Sequence, residues 1–278
     1  MVVKLCRSLV LTALLALPAV AAVKSGCSLL NRAPESQLRD LATDRPDLTE
    51  SPYTVDAGWW QMEMDFFSYT RDHDTAGGAN VKSTRLSVGT INLKVGLTHK
   101  IDLQTVIETY TRAHNDDYTV GTRERVAGFG DVTSRLKINF WGNDRGDSAF
   151  GLMPFVKWPT NQHGLGNKSV EGGVIVPYAR SLPGGWDMGA MTELDLVRND
   201  GYTTEWINTL TFGHALTAKL GGYLELATVL RGGADIAAFD CGLTYKIGRH
   251  TQLDCGVNLG LTQRADDLNL FTGLSVRF

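Results

Sequence analysis

The period-two alternation of side chains in the last eleven residues limits what this chain can fold into more than any other feature. Residues 268–278 read LNLFTGLSVRF, and Leu270, Leu274 and Val276 fall on one face. Successive side chains of a strand point to opposite faces, so the pattern predicts a strand with one apolar and one mixed face. Its length is that of a strand that crosses a bilayer, although an edge strand of a soluble β-domain shows the same pattern.

Eleven more segments show this alternation, with one apolar face and one face that carries charges of both signs. The second of them changes phase at Val88, which predicts a β-bulge. With the C-terminal segment, the predicted strands are residues 58–69, 85–97, 101–112, 130–141, 148–158, 170–180, 186–198, 202–213, 217–230, 234–246, 251–263 and 267–278. The pattern therefore predicts an all-β protein of about twelve strands.

The N-terminus has the features of a secretory signal peptide. Lys4 and Arg7 precede a short apolar run that ends in small residues, which predicts a signal peptide at residues 1–22. The run is too short to span a bilayer as a helix, and a closed barrel is the other structure that satisfies the backbone in lipid.

Residues 23–55 are polar and show no clean period, so we interpret them as a lead-in that stays in the periplasm or enters the barrel lumen. It could form a plug or a gate, but the simpler expectation is that its charges pair locally.

Loop lengths and tryptophan positions favour a membrane barrel over a soluble one. Short connections alternate with long polar loops at residues 71–82, 113–127 and 159–169, most clearly in the first half of the chain. Bacterial outer-membrane barrels combine short periplasmic turns with longer outside loops, and aromatic girdles mark both interfaces. The tryptophans expected in one girdle are Trp59, Trp60, Trp141 and Trp186, with Trp158 in the other. We therefore predict a transmembrane antiparallel up-and-down β-barrel at residues 56–278, in the bacterial outer membrane.

The polar faces of the predicted strands define the candidate solute path. A barrel of twelve strands is wider than an eight-stranded one, which side chains fill, and narrower than a porin, so its side chains set the width of the pore. The charged residues expected to line the lumen are Glu63, Asp65, Glu108, Arg112, Arg135, Lys137, Lys157, Glu193, Asp195 and Glu225. Opposed acidic and basic walls would orient dipolar or small charged solutes, or the charges could pair into a network that fills the barrel.

Two cysteines near the C-terminus could form a disulfide. A hairpin centred on Gly248 would place Cys241 directly opposite Cys255 on the apolar face. Directly opposed strand residues approach the separation that a disulfide needs only at non-hydrogen-bonded pairs, and the periplasm is oxidising. Two small apolar side chains without a bond are the alternative.

The sequence offers no enzyme chemistry. The histidines fall in predicted connections rather than beside a nucleophile on a rigid strand, so we expect no catalytic residues. The net charge of −3 gives no footprint for nucleic acid, and no spacing predicts a metal site or a cofactor.

Several motifs resemble a known family of outer-membrane transporters, the MetA-pathway of phenol degradation family. The matching pieces are TDRPDLTESP at residues 43–52, GLTHKIDLQ at 96–104, GFGDVTSRLK at 128–137, PFVKWPT at 154–160, LPGGW at 182–186 and the terminal Phe278. The resemblance implies a channel that helps small aromatic or hydrophobic compounds cross the outer membrane. A final strand that ends in Phe278 also resembles the strands that the barrel-assembly machinery recognises. The implied partners are therefore this machinery, outer-membrane lipid and a small-molecule solute.

Two functions agree with these observations. The first is a channel or transporter for small solutes with a narrow, charged lumen. The alternative is a non-conducting structural or adhesive barrel whose long loops bind a partner.

Overall fold

An antiparallel sheet that closes on itself forms most of the molecule. The computed structural model describes residues 24, 26–198, 201–232 and 235–278, and the predicted signal peptide lies outside them. The strands are β1 (Trp60–Asp74), β2 (Val81–Val88), β3 (Ile91–Gly96), β4 (Ile101–Ile107), β5 (Tyr110–Asp117), β6 (Thr122–Gly128), β7 (Val132–Trp141), β8 (Ser148–Trp158), β9 (Glu171–Leu182), β10 (Trp186–Arg198), β11 (Tyr202–Ala215), β12 (Leu220–Leu230), β13 (Ile236–Lys246), β14 (Thr251–Gly260) and β15 (Leu268–Arg277). Short 3₁₀ helices occur at Glu35–Gln37 and Ala76–Gly78, and no described helix is long and apolar enough to cross a membrane.

The fifteen segments form twelve barrel strands because three of the strands are interrupted. β2 and β3, β4 and β5, and β6 and β7 are each consecutive parts of one strand. Pairing of β1 with β15, from Gln61 opposite Arg277 to Arg71 opposite Leu268, closes the barrel. Closure removes the unpaired strand edges that a bilayer cannot solvate. The predicted all-β, twelve-stranded antiparallel barrel is confirmed.

One interruption lies where the sequence changes phase. The break between β2 and β3 comes directly after Val88, at Gly89, which has a φ of 70°. The Thr109 hydroxyl donates to the carbonyl oxygens of Val88 (2.7 Å) and Gly89 (2.9 Å). The predicted irregularity at Val88 is therefore present. Beyond it, β1, β2, β5 and β6 continue as a four-stranded extension of the wall.

The barrel is apolar outside and polar inside. Along β15, Leu270 is 41% exposed, whereas Ser275 on the opposite face is completely buried. The largest fully buried side chains include Lys137, Glu63, Glu225 and Asp102, the inverse of a soluble core. An apolar outer face around a polar interior is the arrangement of a membrane barrel.

Most tryptophans lie on the outer surface near the strand ends, but Trp59 does not. Trp60, Trp141 and Trp186 are exposed toward the end that holds the chain termini, and Trp158 toward the other end. Trp59 is only 7% exposed. Its indole Nε1 donates to the Ala33 carbonyl (2.8 Å), and the Arg32 guanidinium lies 3.4 Å from its ring centroid. Its assignment to the girdle is wrong, because the lead-in folds over it.

Cys241 and Cys255 are not bonded to each other. Cys241 lies opposite Val257 and Cys255 opposite Leu243, so the register differs by two residues from the one we expected. The hairpin closes with the Ile247 N–H donating to the Thr251 carbonyl (2.8 Å), which moves the turn centre from Gly248 to the next residue. The proposed disulfide is therefore wrong for this register.

The lead-in passes into the barrel at Gly96. The Gly58 N–H donates to the Gly96 carbonyl (2.8 Å), and Ala57 forms a parallel bridge with Gly96. A β-carbon on Gly96 would overlap the backbone carbonyls of Asp56 and Val55. Only glycine lets the two backbones approach this closely.

We predict that Gly96→Ala lowers the free energy of unfolding by about 1–3 kcal/mol, because the lead-in backbone must shift. Urea unfolding of the detergent-solubilised protein measures this change. Gly213→Ala is the control, because its β-carbon would meet nothing closer than the Gly222 carbonyl at 3.9 Å. Equal stability of the two variants would contradict the close approach.

Candidate functional site

Residues 43–56 lie inside the barrel and are called the lumen segment below. Its first anchor is Asp44, whose carboxylate accepts from the ammonium groups of Lys94 and Lys137 (2.5 Å for Lys137). Both lysine side chains are almost completely buried. Lys94 also donates to Glu63 Oε1 (2.5 Å), so two acids and two bases form one buried cluster. Buried charges of this kind persist only when each is paired.

Arg45 forms the second anchor. Its guanidinium donates to Asp65 on β1 and, at 2.6 Å, to Asp254 on β14. The Asp254 side chain has no exposed surface. The Arg45 guanidinium also lies 5.9 Å from the ring centroid of Phe271 on β15. One residue of the lumen segment therefore contacts the strand at which the barrel closes and both strands that flank it.

Glu225 on β12 holds the middle of the lumen segment. Its carboxylate accepts from the backbone N–H groups of Leu48 and Thr49, both at 2.8 Å, and from the Thr49 hydroxyl at 2.5 Å. The hydroxyls of Thr49 and Thr209 on β11 are also hydrogen-bonded, at 2.6 Å. The same segment thus contacts both sides of the lumen.

Two further anchors complete the attachment of the lumen segment. Arg135 on β7 donates to Glu50 at 2.5 Å, and the Val55 N–H donates to the Asp102 carboxylate at 2.9 Å. We expected the charges of the lead-in to pair locally, and this expectation is wrong for Asp44, Arg45 and Glu50. Each of them pairs with the barrel wall, because a polar strand face surrounds the segment.

Most of the residues predicted to line the lumen point into it. Four of them bond to the lumen segment as described above: Asp65, Arg135, Lys137 and Glu225. The Glu63 carboxylate accepts from the Asp44 N–H at 3.2 Å. Lys157 lies 3.8 Å from the carboxylates of both Glu108 and Asp131. Glu193 and Asp195 share the inner face of β10 with the buried Met191.

Arg112 is the exception, and its predicted position in the lumen is wrong. On β4 the even-numbered residue Gln104 is completely buried, whereas on β5 the odd-numbered Thr111 is 1% exposed. The interruption between β4 and β5 shifts the side-chain phase by one, which turns every later residue to the other face. Arg112 is therefore exposed, and its guanidinium donates to the His114 ring (2.7 Å).

Several functional residues were absent from the predicted set. Lys94, Asp102 and Asp254 all lie on polar strand faces, so the alternation that identified their neighbours could also have identified them. Asp131 precedes β7 but lies within the predicted strand 130–141, on the same polar face as Arg135 and Lys137, so the alternation could have identified it too. Its carboxylate accepts from Asn161 Nδ2 (2.7 Å) and the Asn167 N–H (2.6 Å). It thereby anchors the loop between β8 and β9 against the wall.

The lumen segment separates two cavities. A cavity of about 380 Å³ lies on the side of the chain termini, where Tyr53, Tyr178 and His214 contribute to its lining. The second, of about 670 Å³, lies at the opposite end, beside Lys157 and Asp195. Both chain ends of a bacterial barrel with an even strand number face the periplasm, so the larger cavity is extracellular.

An apolar patch interrupts the polar lumen next to the segment. Met153, Ile175 and Met191 form a buried cluster against which Phe155 and Ile207 pack. The Glu50 N–H donates to the sulfur of Met191 at 3.4 Å. The wall between the two cavities therefore presents apolar as well as charged surface.

Comparison with known proteins fits this architecture. The family model of the MetA-pathway of phenol degradation matches residues 43–278, from the lumen segment to the final strand. The chain belongs to this family. No curated protein matches the sequence.

Solved structures share the fold of this family member at low identity. An outer-membrane channel from Pseudomonas putida F1 superposes with a TM-score of 0.62 at 13% identity, over 85% of this chain and 100% of that one. The β-domain of the Bordetella autotransporter BrkA gives 0.51 at 13% identity, over 79% and 98%. The NanC porin gives 0.50 at 9% identity, over 77% and 98%. The fold is that of a bacterial outer-membrane barrel, so lipid surrounds its outer face.

We predict that Asp44→Asn lowers the free energy of unfolding by about 3–5 kcal/mol, because the buried ammonium groups of Lys94 and Lys137 lose an anionic partner. Asp116→Asn is the matched control. Asp116 pairs with Arg125 at 2.6 Å, but on a partly exposed surface, where a pair contributes about 1 kcal/mol or less. Urea unfolding in detergent compares the two variants, and a similar small loss in both would show that the Asp44 cluster does not hold the lumen segment.

Proposed function

We propose that this family member is an outer-membrane channel that passes small solutes, and that the lumen segment sets and gates its width. The observation that carries the proposal is the polar nature of the segment's attachment. Ion pairs and hydrogen bonds hold it between two cavities, and water can replace such bonds when the segment shifts. An apolar plug would lose its hydrophobic stabilisation on the same movement.

The proposed solute path connects the two cavities along the inner face of the wall. Glu193, Asp195 and Lys157 would meet the solute first, at the extracellular end. The solute would contact the next charged residues only when their bonds to the lumen segment break. These residues are Arg135, Lys137, Glu63, Asp65 and Glu225. Glu108 would act through Lys157. Charged side chains at a constriction select solutes by sign and dipole, so these residues would determine what passes.

The closing strand supports a second part of the proposal, a role in assembly. The Phe278 N–H donates to the Trp60 carbonyl (2.9 Å), and the Trp60 N–H donates to the Phe278 carbonyl (3.0 Å). Phe278 itself is exposed at the periplasmic end. The barrel-assembly machinery would bind this strand before it pairs with β1.

The alternative is a non-conducting barrel that binds a partner at the cell surface. The observation that favours it is the extension formed by β1, β2, β5 and β6, whose tip exposes Tyr118 and Val120. In that case the lumen segment would be a permanent plug.

We predict that the full chain in a planar bilayer gives discrete current steps in KCl. The steps should be smaller than those of a sixteen-stranded porin in the same salt, because the barrel is narrower and the lumen segment occupies part of it. A folded, inserted barrel with no current at any voltage would contradict the channel and favour the plugged alternative.

We predict that cross-linking the lumen segment to the wall closes the channel. Thr49→Cys with Thr209→Cys places two thiols where two hydroxyl oxygens now lie 2.6 Å apart. Cys241→Ser and Cys255→Ser in the same protein remove the two wall cysteines. Oxidation should reduce the current at least tenfold, and a reductant should restore it, because the segment can no longer move aside.

The protein with Thr49→Cys alone, oxidised in the same way, is the control and should keep its current. An unchanged current in the fully cross-linked protein would show that solutes pass a fixed lumen segment. The gate would then be excluded, and the channel itself would remain.

A further inference from the structure

We propose that the extracellular cavity is a binding site for small zwitterions, that is, solutes that carry an ammonium and a carboxylate. The inference rests on the proposed channel function and names the solute class. It departs from the aromatic solutes that the family resemblance implies, because the residues that line this cavity are predominantly charged and polar. Three observations carry it: the size of the cavity, a carboxylate without a cationic partner on one side, and loosely paired or unpaired cations on the other.

The cavity is large enough for a small solute and is built from rigid elements. Its volume of about 670 Å³ lies within the usual range for small-molecule sites. Strands β8 to β11, the loop after β8 and Arg231 directly after β12 form its wall. Asp131 fixes that loop through Asn167, as described above. A site on a fixed wall can hold charged groups at defined positions before the solute arrives.

The acidic side of the cavity has a carboxylate without a cationic partner at Asp195. The carboxylate of Asp195 lines the cavity, and one of its oxygens is enclosed by the wall beside Gly173. No cationic side chain of the described ranges lies within ion-pair distance of it. The nearby Glu205 is already paired with Arg231 at 3.1 Å. A carboxylate that lines a cavity without a cationic partner favours a ligand that carries an ammonium group.

The basic side has cations that lack close partners. Lys157 is about one third exposed and reaches its two carboxylates only at 3.8 Å, beyond direct hydrogen-bond distance. Lys168 and Arg198 line the rim, and neither has a carboxylate within 4 Å among the described residues. The Arg198 guanidinium lies 5.5 Å from the Tyr202 ring centroid instead. These cations remain available for an anionic group of a solute.

A zwitterion satisfies both sides of the cavity at once. A simple cation would pair with Asp195 and leave the lysines unmatched, and a simple anion would do the reverse. A neutral aromatic molecule would displace water from charged groups without replacing its hydrogen bonds, which is unfavourable. Charge complementarity at both ends of the solute therefore determines the class that binds.

The test compares alanine with lactamide, its uncharged isomer, in the swelling of proteoliposomes that contain the full chain. After subtraction of the rate in protein-free liposomes, the wild type should swell at least threefold faster in alanine. Asp195→Asn should bring the alanine-to-lactamide ratio close to one, and Lys157→Gln should lower it as well. Heat-modifiable gel migration checks that each variant is folded.

Glu124→Gln is the matched control, because it also removes one acidic charge but from the exposed surface of β6, away from the cavity. It should leave the ratio unchanged. A wild-type ratio near one, or an unchanged ratio in Asp195→Asn, would overturn the binding site. KCl currents recorded from the same preparation separate this failure from failure of the channel, because a protein that conducts without discriminating the isomers is a channel without a zwitterion site.

Discussion

The pairing of Asp44 with two buried lysines is the interaction on which the interior of this barrel depends. A charge that is buried inside the barrel must pair with an opposite charge, or the folded state loses several kcal/mol of stability. The wall supplies Lys94 and Lys137, and the N-terminal segment supplies the matching carboxylate. Neither the wall nor the N-terminal segment has balanced charges here without the other. The same complementarity recurs at Arg45, between Asp65 and Asp254, so the lumen segment completes the interior that the strands begin.

Because ion pairs hold the lumen segment, its position is defined, and its bonds to the wall can be exchanged for bonds to water. Ion pairs require defined geometry, so the lumen segment adopts one position. Water can also replace the ion pairs when the charged groups separate. The contacts of an apolar core have no such replacement. The lumen segment occupies the middle, and in the proposed gate it would move into the cavities on either side. The apolar cluster of Met153, Ile175 and Met191 lies on the wall beside it and offers a surface that does not compete for its hydrogen bonds.

Much of the fold could be predicted from the sequence because a period of two is a local property. The strand segments, the irregularity after Val88 and the inward direction of Glu63 or Glu225 all follow from counting along the chain. The predictions were wrong where an interrupted strand or a turn changes the side-chain phase or the register. A one-residue shift between β4 and β5 turned Arg112 outward. A turn centred one residue later separated Cys241 from Cys255. Phase and register depend on turn geometry, which alternation does not specify.

The sequence by itself determined that this chain forms strands with one apolar and one charged face, because the polarity of alternate residues is fixed along each strand. Only the tertiary structure decided which charges meet. Asp44 is 50 residues from Lys94 and 93 from Lys137, and Thr49 is 160 from Thr209. No local pattern links such positions. Closure of the barrel around the N-terminal segment brings them together, and it also buries Trp59, which the sequence alone would place in the membrane interface.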